Sequence, residues 1–364
     1  MSLRTHDGQA PRLAKGRGAA LNPEGRFEPV RREAVDDGWL PPEPEGEPPR
    51  LDTHVMEERA RSILTRNDSP DLPFTTSINP YRGCEHGCIY CYARPSHAYL
   101  DLSPGLDFET RLFAKVNAAE LLRQELAKPG YRCDSISIGA NTDPYQPVER
   151  DYRITRSVIE VLAACDHPFA IITKNALVLR DLDLLAPMAR KNLVKVFVSV
   201  TTLDHGIARR LEPRASSPTR RLETIHALAE AGIPTGVMVA PVIPFLTDDG
   251  LESILESAAE RGARYAGYVL LRLPYEIKEL FKDWLQNHYP LKAEHVMSRV
   301  RQMRDGREND PEFGSRQRGQ GLMAELLAQR FEKACRRLHL NDEHMGLDTS
   351  QFRAQKLAGQ MALF

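Results

Sequence analysis

The chain has 364 residues, 41% of them hydrophobic, with 49 Lys plus Arg against 50 Asp plus Glu. Near-neutrality excludes a generally basic nucleic-acid coat and a strongly acidic protein, and the length suits roughly two domains of ~150 residues or a single α/β barrel. No membrane span is expected, because the longest uncharged apolar run, residues 231–246, is interrupted by Pro234, Pro241 and Pro244 and falls short of the ~20 residues a spanning helix needs. Nor does the N-terminus show the apolar stretch of a secretory signal. A cytoplasmic location is therefore expected, where six Cys should be thiols or ligands rather than disulfides.

In chain order, the first fifty residues contain eight of the 26 prolines and end in a Pro/Glu run at 41–49. Such a stretch buries too little apolar surface to offset chain entropy, so it reads as largely extended or disordered. Within it, Arg12 to Arg32 carries a basic excess that suits a solvated tail, or an arm docking on the core or on a nucleic acid. From about Thr75, short apolar runs alternate with amphipathic stretches. Strands are predicted over Thr76–Tyr81, Ser135–Ala140, Phe169–Thr173, Val194–Val200, Thr235–Ala240 and Tyr265–Leu271. Helices are predicted over Glu109–Ala127, Ile154–Ala164, Leu179–Arg190, Thr219–Ala231 and Leu251–Arg261. This serial βα pattern favours a parallel sheet with right-handed crossovers, best met by a partial or complete barrel.

After Pro274 the pattern turns helical and charged, with Lys292–Arg304 and Leu322–Leu338 as candidate helices. Arg299 to Arg337 holds ten Lys/Arg against six Asp/Glu, which suits a solvated helical face or a surface for a phosphate-bearing substrate. The expected organisation is an N-terminal extension over 1–74, an α/β barrel over 75–274 and a helical C-terminal extension over 275–364.

The cysteines divide unevenly. Cys84, Cys88 and Cys91 crowd into eight residues, whereas Cys133, Cys165 and Cys335 are scattered. The trio follows the first predicted strand, at the carboxyl end where barrel active sites are built, and Gly83 and Gly87 let the backbone bend around a compact centre. Three ligands are fewer than a closed zinc site needs, although His54, His86 or His97 could complete one. An iron–sulfur cube on three Cys instead leaves one iron open for a small molecule.

Cys-x3-Cys-x2-Cys with an aromatic before the last Cys, here Cys84, Cys88, Tyr90 and Cys91, resembles the signature of the radical S-adenosylmethionine (radical SAM) superfamily. Tyr90-Cys91-Tyr92 resembles the branch of spore photoproduct lyase and its DNA repair photolyase-like relatives. The runs Gly16-Arg17-Gly18-Ala19, Ser77 to Gly83 and Ser103-Pro104-Gly105-Leu106-Asp107-Phe108-Glu109 are similar to an uncharacterised bacterial radical SAM group named after a Pseudomonas member. The resemblance implies an α/β fold, a partial TIM barrel of the (β/α)6 type. It also implies a [4Fe-4S] cluster on Cys84, Cys88 and Cys91, and S-adenosylmethionine (SAM) chelating the fourth iron.

The same resemblance directs attention to the other strand ends. It implies cofactor-binding roles for Tyr90, for Thr142 and Asp143 in the turn after strand two, and for Ser199 at the end of strand four. Thr142 and Asp143 also read as a Pro-anchored turn that satisfies its own backbone. Lys174 could serve a substrate phosphate or carboxylate, or simply join an ion pair. One Arg of Arg209, Arg210 and Arg214 could hold the SAM carboxylate, and the apolar run Ala240–Pro244 suits adenine. Tyr81, Tyr92 and Tyr145 could relay a hydrogen atom or fill the barrel mouth; Tyr92, Tyr145 and Lys174 are the candidate catalytic residues. One departure stands out. Spore photoproduct lyase carries a hydrogen-donating Cys on the turn after strand two, where this chain has Ala140 or Asn141, and Cys133 is too early.

The expected function is a radical SAM enzyme that takes an electron from a donor such as flavodoxin or ferredoxin. It would act on a nucleic-acid or nucleotide-like substrate, with the basic extensions as possible nucleic-acid contacts. A peptide or small metabolite is the alternative substrate, and a non-catalytic iron–sulfur or zinc module the alternative of another class.

Overall fold

The computed structural model describes residues 14–27, 50–343 and 346–357. Its strands are β1 (His54–Glu58), β2 (Leu64–Arg66), β3 (Thr76–Ile78), β4 (Tyr81–Arg82), β5 (Arg111–Lys115), β6 (Ile136–Ile138), β7 (Phe169–Thr173), β8 (Val194–Ser199), β9 (Thr235–Val242) and β10 (Tyr265–Leu270). The main sheet has the order β10-β9-β8-β7-β6-β3-β2, and β1, β5 and β4 form a small second sheet. Neighbours from β3 to β10 in the main sheet pair in parallel, while β2 adds an antiparallel edge. Mixed α/β with six parallel strands in series, this is the expected partial-barrel fold class.

Strand alternation explains both faces. Ile136, Ile138, Phe169, Ile171, Val194, Val196, Val198, Val237 and Val239 are fully buried and pack with Leu122, Val158, Leu185, Ile225 and Ile254 of the surrounding helices. Their neighbours in sequence, Ser137, Lys195 and Ser199, fall on the opposite, concave face. The carboxyl ends of these strands form the mouth of the barrel.

Two helical expectations change. The predicted helix Glu109–Ala127 divides into a single turn at Asp107–Thr110, strand β5, and a helix over Ala118–Leu126. Within 111–115 only Leu112 and Ala114 are buried, a period of two. Pairing with β1 and β4 makes use of that period. Leu179–Arg190 instead begins as a 3-10 turn over Ala176–Asp181 and becomes α-helical over Leu182–Ala189. A short helix at His205–Leu211, started by Asp204 accepting the Ile207 N–H at 2.8 Å, and a longer one at Ile277–His288 carry no label in the sequence reading.

The extensions pack onto the barrel. The helix Leu322–Arg337 lies along Leu251–Ala259, tied by Arg330 to Glu252 at 2.7 Å and by Arg337 to Glu256. Residues 314–317 bridge the two ends of the main sheet. Leu270 N–H of β10 donates to Gln317 O at 2.9 Å, and Arg316 reaches Asp71, beyond β2, at 2.6 Å. The basic excess of 299–337 is thus largely neutralised by acids of the same chain. Residues 14–27, readable from composition as a solvated tail or as an arm docking on the core or on a nucleic acid, lie on the core, with Ala14, Arg17 and Ala19 buried. The rest of the basic arm, and the Pro/Glu run, fall outside the described residues. No helix among the described residues is long and apolar enough to cross a membrane.

Candidate active site

The cysteine loop begins just past β3 and β4, at the mouth. Cys84 N–H donates to Phe108 O at 2.9 Å, Cys91 N–H to Cys88 O at 3.2 Å, and Arg94 N–H to Cys91 O at 3.1 Å. Gly83 and Gly87 take φ of +74° and +66°, a left-handed conformation that side chains resist. A Cβ there would also lie 2.6 Å from Leu112 and 2.7 Å from the Glu109 carboxylate. Cys84 and Cys88 are buried and Cys91 half-buried. Burial pushes all three thiols up, and for Cys84 the other two thiols push further. Ligation would therefore have to displace protons from near-neutral, desolvated sulfurs.

Behind the loop, Arg94 and Glu85 each have a charged partner. Arg94, fully buried, donates to Cys88 O at 2.9 Å, to Pro104 O at 3.1 Å, to Gly105 O at 2.8 Å and to the buried Glu109 carboxylate. Glu85 meets Arg214 at 3.1 Å, and Gln146 clamps the loop by accepting from Glu85 N–H at 2.9 Å and donating to Gly83 O at 3.1 Å.

A second buried network forms the side wall. Tyr90 O–H donates to Glu212, which also accepts from Thr201 at 2.7 Å and from Arg221, with Lys174 Nζ at 3.7 Å. Burial alone would push the Glu212 carboxyl up, but Arg221 and Lys174 hold it below the usual range. Burial and the Glu212 charge push Tyr90 up, which keeps it a donor. Arg221 continues to Ser216 O at 2.7 Å and Ser199 O at 3.1 Å, joining the wall to the end of β8.

The turn after β6 is pinned from below. Asp143 accepts from Thr173 Oγ1 and Lys174 N–H, both at 2.7 Å, and from Tyr145 N–H at 2.9 Å, with His86 Nδ1 at 3.4 Å. Burial would raise its carboxyl, but His86 and these donors hold it below the ordinary value. Thr142 Oγ1 donates to Tyr81 O at 2.9 Å. Above this turn, Tyr92 is half exposed and its hydroxyl donates to Ala140 O. The guanidinium of Arg272, just past β10, lies 5.9 Å from the Tyr92 ring. Its buried Nε has no hydrogen-bond partner, and no acid among the described residues forms an ion pair with it.

Comparison with known proteins decides what this geometry serves. The radical SAM superfamily model matches residues 78–258. The chain belongs to the radical SAM superfamily. Uncharacterised proteins of Mycobacterium bovis and Mycobacterium tuberculosis are 41% identical over 234 residues, 64% of this chain and 68% of theirs. A phage relative, the radical SAM Nα-GlyT isomerase of Pseudomonas phage M6, is 26% identical over 185 residues, covering 50% of this chain and 36% of that protein. Spore photoproduct lyase complexed with dinucleoside spore photoproduct superposes with a TM-score of 0.57 at 16% identity, covering 78% of this chain and 79% of that one. The chain is an enzyme of a superfamily that uses a [4Fe-4S] cluster and SAM.

In radical SAM terms, the structure brings together Cys84, Cys88, Cys91, Tyr90, Lys174 and the 140–143 turn at one mouth. Thr142 and Asp143 lie in that turn, but their side chains bond within the protein. Ser199 reaches the wall through its carbonyl. Tyr145 is fully buried with its hydroxyl on Asp181 at 3.0 Å, and Tyr81 is buried against Glu149. Of the three arginines expected for the SAM carboxylate, Arg210 donates to Tyr289 at 2.9 Å and Arg214 pairs with Glu85 at 3.1 Å. Glu212, Arg221, Arg94, Glu109 and Arg272 escaped the sequence reading. Glu212 sits between Arg210 and Arg214 in sequence, but only burial distinguishes it from surface acids.

The donor set fits the cluster. Of the histidines that could complete a zinc site, His54 is exposed on β1, His86 faces Asp143 and Asn175, and His97 bonds Arg111 O through Nε2 at 2.9 Å. Among the described residues, no three His, Cys, Asp or Glu side chains are grouped as a site for a single ion; three soft sulfur donors on one short loop are the donor type that iron–sulfur groups take.

Proposed function

We propose that Cys84, Cys88 and Cys91 hold a [4Fe-4S] cluster whose open iron takes SAM, and that the enzyme abstracts a hydrogen atom from a nucleic-acid or nucleotide-like substrate. When bound and reduced by a flavodoxin- or ferredoxin-type donor, the cluster supplies the electron that splits SAM into methionine and a 5′-deoxyadenosyl radical. The chain's own residues do the positioning. The Arg94 and Gln146 clamps hold the loop, the Tyr90–Glu212–Arg221 wall fixes its flank, and Lys174 stands on that wall for an anionic group. With the Thr142 and Asp143 side chains bonded inside the protein, the backbone of 140–143 is left to meet the SAM amino group.

The observation that carries the reading is the cysteine loop itself, two buried thiols and one half-buried at the carboxyl end of the first parallel strand. The substrate class draws support from the mouth, where Tyr92 offers a ring and Arg272 an unpaired cation, a combination suited to a base and its phosphate. Spore photoproduct lyase, which shares the fold, is complexed with a dinucleoside. Repair by the thiol route of the lyase is not proposed. Cys133 precedes β6 at the far end of the strand, Cys165 bonds Val161 O at 3.3 Å at a helix end, and Cys335 lies in the Leu322–Arg337 helix.

Anaerobic reconstitution with iron and sulfide, then dithionite and SAM, should yield 5′-deoxyadenosine. A fully loaded cluster that yields none would sink the radical reading. Cys84→Ala should lose the cluster; retention of a full cube would mean other ligands hold it.

A further inference from the structure

We propose that residues 16–19 form a clasp that locks the cysteine loop into its cluster-holding shape, with the turn at 103–109 as its receptor. The two runs are more than eighty residues apart in sequence. They meet on Glu109. Its carboxylate accepts from Gly18 N–H at 2.9 Å on Oε2 and from Ala19 N–H at 3.0 Å on Oε1, the oxygen that Arg94 also holds. Arg17, itself buried, donates to Glu109 O at 2.8 Å, to Leu51 O at 2.6 Å and to Thr53 Oγ1 at 2.9 Å. Thr53 in turn donates to Glu85, the residue after Cys84, at 2.5 Å.

The fit admits no side chain at the point of contact. A Cβ on Gly18 would stand 1.8 Å from Gly87 O, and one on Gly105 would stand 2.1 Å from Leu21 O. The arm therefore lies directly against the backbone between Cys84 and Cys88. Asp107 N–H donates to Asn22 Oδ1 at 3.0 Å and Ser103 Oγ to Pro23 O, while Phe108 O accepts from Cys84 N–H at 2.9 Å. Loop, turn and arm thus interlock through hydrogen bonds that each use at least one backbone group. Further along, Arg26 lies 4.0 Å over the Tyr275 ring and pairs with Glu276 at 3.3 Å, which anchors the arm to the chain just past β10. Groups that hold ligands in place without touching the metal typically change metal affinity by ~10–100-fold when removed.

The inference rests on the cluster assignment above. Full-length wild type and Gly18→Val are reconstituted and challenged anaerobically with an iron chelator, following the bleaching of the cluster's visible absorbance. With far-UV circular dichroism unchanged, Gly18→Val should bleach on the order of 10-fold faster. In the metal-free proteins, hydrogen exchange at the Cys84 and Gly87 amides should accelerate in the variant while the β7 and β8 amides stay protected. If Gly18→Val folds poorly, a chain lacking residues 1–27 takes its place, and adding those residues as a peptide should restore slow bleaching. Equal bleaching rates in a folded variant, or no rescue by the peptide, would overturn the clasp alone. A wild-type chain that takes up no iron would overturn the cluster assignment and the clasp with it.

Discussion

The back of the cysteine loop and the mouth beside β10 treat buried charge in opposite ways. Behind and beside the loop, Arg94 meets Glu109, Arg221 meets Glu212 and Asp143 collects donors from three directions. At the mouth, Arg272 has an aromatic neighbour and no acid at ion-pair distance among the described residues. A buried pair holds geometry, because removing either partner strands the other. An unpaired cation at an opening does nothing for stability and is available to an incoming anion. The contrast separates a part of the molecule built to stay still from one built to bind.

The contrast can be broken experimentally. Glu212→Leu, which strands Arg221 and frees Tyr90, should cost about 3–5 kcal/mol in denaturant unfolding; a loss below ~1 kcal/mol would mean that the wall is not a unit. Acid should act differently on the two ends of the barrel. At the foot, His167 is fully buried, 2.8 Å from the Tyr131 hydroxyl and 2.9 Å from Pro168 O, and burial pushes its pKa down to about 4. The unfolded chain then binds a proton that the folded chain refuses, so stability is complete above about pH 6.5 and falls as pH drops toward 4. The loss should be ~3 kcal/mol, and His167→Gln should flatten that window. Glu212 has the opposite charge type but the same sense. Its depressed carboxyl contributes stability above its unfolded value of ~4.3 that disappears only in stronger acid, so the two losses should appear in sequence. The smallest effect belongs to the mouth. Arg272→Gln should change unfolding free energy by no more than about 0.5 kcal/mol, while weakening binding of a short thymidine oligonucleotide and lowering the salt dependence of that binding. Unchanged binding would remove Arg272 from the substrate site.

Cys84, Cys88 and Cys91 stand out in the sequence because soft donors at short spacings are a local pattern. The same holds for Gly83 and Gly87, whose backbone turns the loop. The barrel strands were readable because each carries a short apolar run between helical repeats. Strand β5 was not, since Arg111–Lys115 has a period of two that only pairing with β1 and β4 selects over the helix beginning at Ala118. Tyr145 and Tyr92 look equally suited to the mouth in sequence, yet one is fully buried on Asp181 and the other half exposed above the 140–143 turn. Nor does charge counting show that Arg316, Arg330 and Arg337 are satisfied by Asp71, Glu252 and Glu256.

Sequence alone determined the chemistry this protein can support and the order of its strands, because ligand type, loop spacing and hydrophobic period act over a few residues. Tertiary structure decided which charges are paired and which is left open, and that residues 16–19 meet 103–109 beside the cysteines. Those outcomes depend on groups far apart in the chain arriving in one desolvated place, where pairing energies are set by geometry that no local pattern contains.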